Sequence, residues 1–191
     1  MLGNVYLEHL QTDEELYLYH SVLNKQNYAT ELLNKYGLCS PEDTYKLDKE
    51  LFHKRSFAIY QERAKAFLHK TSVTDEDVLD FLNRGRLPLT AKCIFFSFDT
   101  EESFGLPHGD SIQLRIPMSV IEKYTVGEPI KVLSVKLTPI TLKELKDNLH
   151  KLQRQAIEGS KKHNKTQFKH KYIVHCAIPM NPIPLSECEI L

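Results

Sequence analysis

The sequence is poor in what the common nucleotide machines need. It has seven glycines in 191 residues, few for a loop that must cradle phosphate with backbone amides. It contains no GxxxxGK[ST] and no GxGxxG, which sets aside P-loop ATPases and Rossmann dehydrogenases. HExxH and GxSxG are missing as well, so neither a zincin nor a hydrolase nucleophile elbow is expected. The four cysteines, Cys39, Cys93, Cys176 and Cys188, include no CxxC pair. Buried free thiols in a reducing compartment are their simplest reading. No metal is expected on these spacings, despite nine histidines. No basic stretch leads into an apolar one at the N-terminus, and no apolar run approaches the ~18 residues of a membrane span. Basic and acidic residues number 25 each, so an argument for a nucleic-acid partner has to be local. Together these absences point to the cytoplasm, or to host cytoplasm for a viral or pathogen-delivered protein, with no membrane partner.

What is present reads as one globular domain over 1–191. Apolar residues make up 41% and charged residues 26%, enough to build a core. Residues 14–22 (Glu-Glu-Leu-Tyr-Leu-Tyr-His-Ser-Val) predict a short buried strand with His20 at its C-terminal end. A helix leads from there to Gly37. Ser40-Pro41-Glu42-Asp43 opens a helical insertion spanning 41–84: Ser40 caps, Pro41 suits the first helical position, and the acids favour the first turn. Within it, residues 45–70 read as one helix, with Leu47, Leu51, Ala58, Phe67 and Leu68 on its apolar face, and Thr74 caps another.

The strand-rich part, 92–191, differs in pattern. Cys93 to Phe98 is a continuous apolar run, the sign of a central strand. Residues 111–117, 129–135 and 172–178 read as further strands. Thr141-Leu142-Lys143-Glu144 is a capping box. It opens an amphipathic helix with Leu142, Leu145, Leu149 and Leu152 on one stripe, closed by Gly159. A polar, basic loop follows over 160–171. Helices gathered early and strands late predict an α+β fold, with a split mixed or antiparallel sheet core.

Leu18-Tyr19-His20, followed by Glu31-Leu32-Leu33-Asn34-Lys35-Tyr36-Gly37-Leu38, resembles the opening of the ADP-ribosyltransferase-like superfamily. The likeness is to its histidine branch, with poly-ADP-ribosyltransferase-type enzymes, RNA 2′-phosphotransferases and nucleic-acid-modifying toxins. Residues 94–97 resemble that family's second motif strand, and 111–117 the strand after it. The resemblance covers about 40 of the 191 residues. It implies an NAD-using transferase, a toxin or effector, acting on a protein or nucleic acid. Tyr19, His20, Ser97 and Phe104 would hold NAD, and Glu128 would be the catalytic acid. In such a site the imidazole fixes the nucleotide, and a carboxylate faces the oxocarbenium-like charge as the glycosidic bond breaks. Two departures bear on activity. Ser21-Val22 follow the histidine, and if the strand at 172–178 is the third motif, the acid is missing.

The bland alternatives stay open. His20 can be a structural imidazole bonded to backbone, and Glu128 a solvated turn residue. The segment 160–171 holds Lys161, Lys162, Lys165 and Lys169 around Phe168. Such a segment either solubilises or docks a phosphate backbone, the lysines releasing counterions and the ring stacking on a base. The second function class is therefore a non-catalytic binding module: an inhibitor, or a domain that contacts protein or nucleic acid.

Overall fold

A computed structural model of the chain describes residues 16–85, 90–98, 111–133, 136–163 and 174–191. Residues 1–15, Phe104 with its flanking residues, and Lys165, Phe168 and Lys169 lie outside that set.

The chain opens with strand β1 (Tyr17–Leu23) and helix α1 (Tyr28–Tyr36). Three helices follow: α2 (Pro41–Leu47), α3 (Lys49–Leu68) and α4 (Asp75–Gly85). Then come β2 (Cys93–Ser97), β3 (Ser111–Pro117), α5 (Met118–Tyr124), β4 (Ile130–Leu133), β5 (Lys136–Pro139), the long helix α6 (Leu142–His163), β6 (Val174–Pro179) and β7 (Glu189–Ile190). The strands form one sheet in the order β5-β4-β6-β2-β1-β3-β7. Every pairing described is antiparallel, so the fold is α+β and the mixed alternative drops out. His20, Phe96, Leu114, Val132 and Val174 all lie on strands of this sheet, as expected.

Pairing fixes which side chains share a face, because directly opposed residues point the same way. Leu18 faces Ile116, His20 faces Leu114, and Phe96 faces Cys176. These residues line the face that carries the main core. Leu33 of α1, Ile121 of α5 and Leu149 of α6 join the same core. The result is an antiparallel sheet with helices packed on one face. The α6 stripe behaves as its spacing predicts: Leu145, Leu149 and Leu152 are buried and Leu142 is half-buried. Its capping box forms in both directions, Glu144 N–H to Thr141 Oγ1 at 3.1 Å and Thr141 N–H to Glu144 Oε2 at 2.7 Å.

Several boundaries differ from expectation. The helix expected over 45–70 breaks at Asp48, which has φ −149° and ψ 83°. Its carboxylate accepts from Leu51 N–H at 2.9 Å and from the Tyr36 hydroxyl at 3.2 Å, ending one helix and capping the next. Leu47 and Phe67, assigned to the apolar face, are 48% and 55% exposed. Gly159 does not close α6, which runs on to His163. An interior glycine costs only about 1 kcal/mol against alanine, and lysines suit a helix C-terminus. So Lys161 and Lys162 sit on the last turn of α6, not in a loop. Strand β5 had no counterpart in the sequence reading.

The C-terminal segment ties distant parts together. Leu38 and Ile183 exchange backbone hydrogen bonds of 2.8 and 2.9 Å, and Ile183 is fully buried. Gly37 makes this approach possible. Its φ is +76°, and a Cβ there would lie 2.2 Å from the Ile183 carbonyl oxygen. Beyond it, β7 covers part of the outer edge of β3, the use of a very short edge strand to protect a sheet.

Candidate functional site

His20 is the residue around which a site would be built. It lies in the middle of β1, not at its C-terminal end, since the strand continues to Leu23. The strand runs on because Ser21, Val22 and Leu23 stay paired with β3. The ring is half-buried, with Phe96 edge-on at a centroid distance of 6.0 Å. Its Nδ1 lies 2.6 Å from the carbonyl oxygen of Phe95. A carbonyl can only accept, so Nδ1 carries the proton and the bond runs from ring to backbone. Burial pushes the imidazole down to about 4; the bond to Phe95 opposes that shift, and the positive charge of Arg55 on α3 adds to it. At neutral pH the ring is uncharged, and Nε2 is left as an acceptor.

Tyr19 and Ser97 come together, but on the other face. They are directly opposed, and the Ser97 hydroxyl donates to the Tyr19 carbonyl at 3.3 Å. Alternation along each strand puts their side chains opposite to those of His20 and Phe96. Their face also carries Arg115, whose guanidinium lies over the Tyr17 ring at 4.6 Å and pairs with Glu189. His20 and Ser97 are therefore neighbours in the sheet without sharing a wall.

Glu128 is not with them. It is exposed, two residues ahead of β4. In the sheet order β4 is separated from β1 by β6 and β2. Three strand spacings amount to roughly 14 Å. Phe104 lies outside the described residues. Lys161 and Lys162 are placed only as helix positions, and Lys165, Phe168 and Lys169 also lie outside. Among the described residues, no group of three His, Cys, Asp or Glu could hold a metal ion. No described helix is long and apolar enough to cross a membrane.

Two participants escaped the sequence reading. Arg55 lies on α3, and its charge reaches His20; its residue type and spacing give no reason to single it out. The Phe95 carbonyl is a backbone group, so residue types carry no signal for it.

No family model matches this chain, and neither the curated proteins nor the solved structures contain a match.

Proposed function

We propose that this chain is a non-catalytic binding module on an ADP-ribosyltransferase-like scaffold, one that contacts a protein or nucleic-acid target without modifying it. One observation carries this reading. Glu128, the candidate acid, stands exposed beside β4, roughly 14 Å across the sheet from the strand that bears His20. Three strands away, that carboxylate is not beside the His20 ring, where a compact site built on His20 would need it. The bond already made by His20 to Phe95 fits the same reading.

ADP-ribosyl transfer from NAD is the second reading, and one observation favours it. The sheet opens between β1 and β2 beside His20, the setting in which the resemblance places a nucleotide. Calorimetric titration of the full chain with NAD, paired with an assay for label transfer from NAD to target protein and nucleic acid, separates the two. The module reading expects neither binding heat nor transfer. Binding that is lost in His20→Ala, with transfer lost in Glu128→Gln, would replace it with the enzyme reading. The first docking surface to test is the basic segment 160–171. Its nucleic-acid affinity, if electrostatic, should fall steeply with salt.

A further inference from the structure

The strands of this sheet are joined unequally. β1 meets β3 along its whole length, from Tyr17 opposite Pro117 to Leu23 opposite Ser111. β2 meets β6 the same way, from Cys93 opposite Pro179 to Ser97 opposite His175. Between β1 and β2, the described pairing is Tyr19 opposite Ser97 and no more. Among the described residues the sheet is therefore two half-sheets, β1-β3-β7 and β5-β4-β6-β2, whose ladders join at one pair.

Side chains complete the junction. Had the ladder continued, Ser21 would face Phe95. Instead the strands part, and the Phe95 carbonyl takes its hydrogen bond from His20 Nδ1 at 2.6 Å. On the other face, the Ser97 hydroxyl reaches the Tyr19 carbonyl at 3.3 Å. Just past the junction, Ser21 Oγ is buried with no hydrogen-bond partner, as expected where strand-to-strand closure is incomplete. Beneath both half-sheets lies one shared core that includes Leu18 and Leu114 from one side and Phe96 and Ile178 from the other.

We propose that this junction is a hinge and that His20 is its latch. The shared core is the pivot. The imidazole holds the Phe95 carbonyl and so fixes one setting of the two half-sheets; without that bond β1 and β2 part first, while each half-sheet keeps its own ladder. His20 is a positioning residue in this scheme. Its contribution is a donor nitrogen at one point, which other side chains can supply.

NMR-detected hydrogen exchange on the full chain tests this. His20→Phe keeps a ring against Phe96 but removes the donor. It should speed exchange at least tenfold at the β1 and β2 amides that face the junction, leaving β4, β5 and α6 unchanged. His20→Asn places an amide nitrogen near the position of Nδ1 and should restore the slow exchange. Even acceleration across the whole sheet, or none at the junction, would overturn the proposal. Should His20→Phe not fold, Ser97→Ala removes the hydroxyl bond to the Tyr19 carbonyl at the same junction and is read the same way: local acceleration supports the hinge, and uniform acceleration or none overturns it.

Discussion

The two longest helices, α3 and α6, have 20 and 22 residues, and they are used in opposite ways. α6 lays one leucine stripe on the sheet, and its described residues off that stripe are exposed except Gln153, which is buried and donates to the Tyr17 carbonyl. α3 divides its length. Leu51 and Phe52, near its start, are buried, and the helix meets α1, α2 and the chain leading out of β1. Farther along, Ala64 packs with Val78 of α4 in a small separate core, flanked by Phe57, Tyr60, Val73 and Phe81. A helix with one neighbour shows a clean stripe; a helix that changes neighbours along its length spreads its apolar residues around its circumference. The comparison separates a cooperative sheet core from a helical pair with a modest core of its own.

The largest effect is expected under α6. Leu149→Ala removes a fully buried side chain from the main core and should cost ~2–5 kcal/mol in chemical denaturation. Because this core spans the sheet, all probes should shift together. A loss confined to α6 would show that the sheet does not depend on it.

The next effect tests the sheet side through acid. His20 is held near 4 in the fold, against about 6.5 in an unfolded chain. Above pH 6.5 neither state binds the proton, and stability is at its full value. As pH falls from 6.5 towards 4 the unfolded state takes up the proton first, so stability declines. Below 4 both states are protonated and the loss levels off. The whole shift corresponds to about 3 kcal/mol. Carboxylates held low, such as Glu144 and Asp77, also lose stabilisation as pH falls, but they contribute alike to wild type and variant, so the difference between the two reports the imidazole. Denaturation midpoints of wild type and His20→Asn should converge as pH drops from about 6.5 to about 4.5, and parallel curves would exclude an imidazole that the fold keeps neutral.

The contrast between the two helices also explains what was legible in the sequence. Thr141 and Glu144, then leucines three and four apart, specify α6 and its buried face, because capping and one-sided burial depend on local spacing alone. The strands around Phe96 and Leu114 were legible for the same reason. Leu47 and Phe67 were misassigned because the burial of α3 depends on which element lies beside it, and residue spacing carries no trace of that. The break at Asp48 depends on Tyr36, twelve residues earlier, reaching its carboxylate. His20 was picked out by residue type. Its bond to Phe95 spans 75 positions and exists only once β1 and β2 have met. The separation of Glu128 from His20 follows from strand order, which local pattern does not contain.

Val78→Ala sharpens the comparison from the other side. The side chain is buried in the small core, and losing two methyl groups there should cost about 1–2 kcal/mol. That loss should remain local. Amides of α3 and α4 would exchange faster while those of β1 and β3 kept their protection, the behaviour of a separately opening unit. Equal acceleration in the sheet would merge the two cores into one cooperative unit.

Phe67→Ser is the smallest change and tests where the small core ends. Phe67 is 55% exposed, with its ring 5.4 Å from that of Phe81. Exposed positions away from caps and cores usually change stability by no more than about 0.5 kcal/mol, whereas tilted aromatic pairs contribute ~0.5–1.5 kcal/mol beyond the area they bury. Exposure should dominate, because more than half of the Phe67 surface stays in water when the pair forms. The denaturation midpoint should therefore move little, and Phe81→Ser should cost more, since Phe81 packs against Ala64 and Val78. If Phe67→Ser costs as much as Val78→Ala, the Phe67–Phe81 pair belongs to the small core, and the helical pair is held together at its far end as well as at its middle.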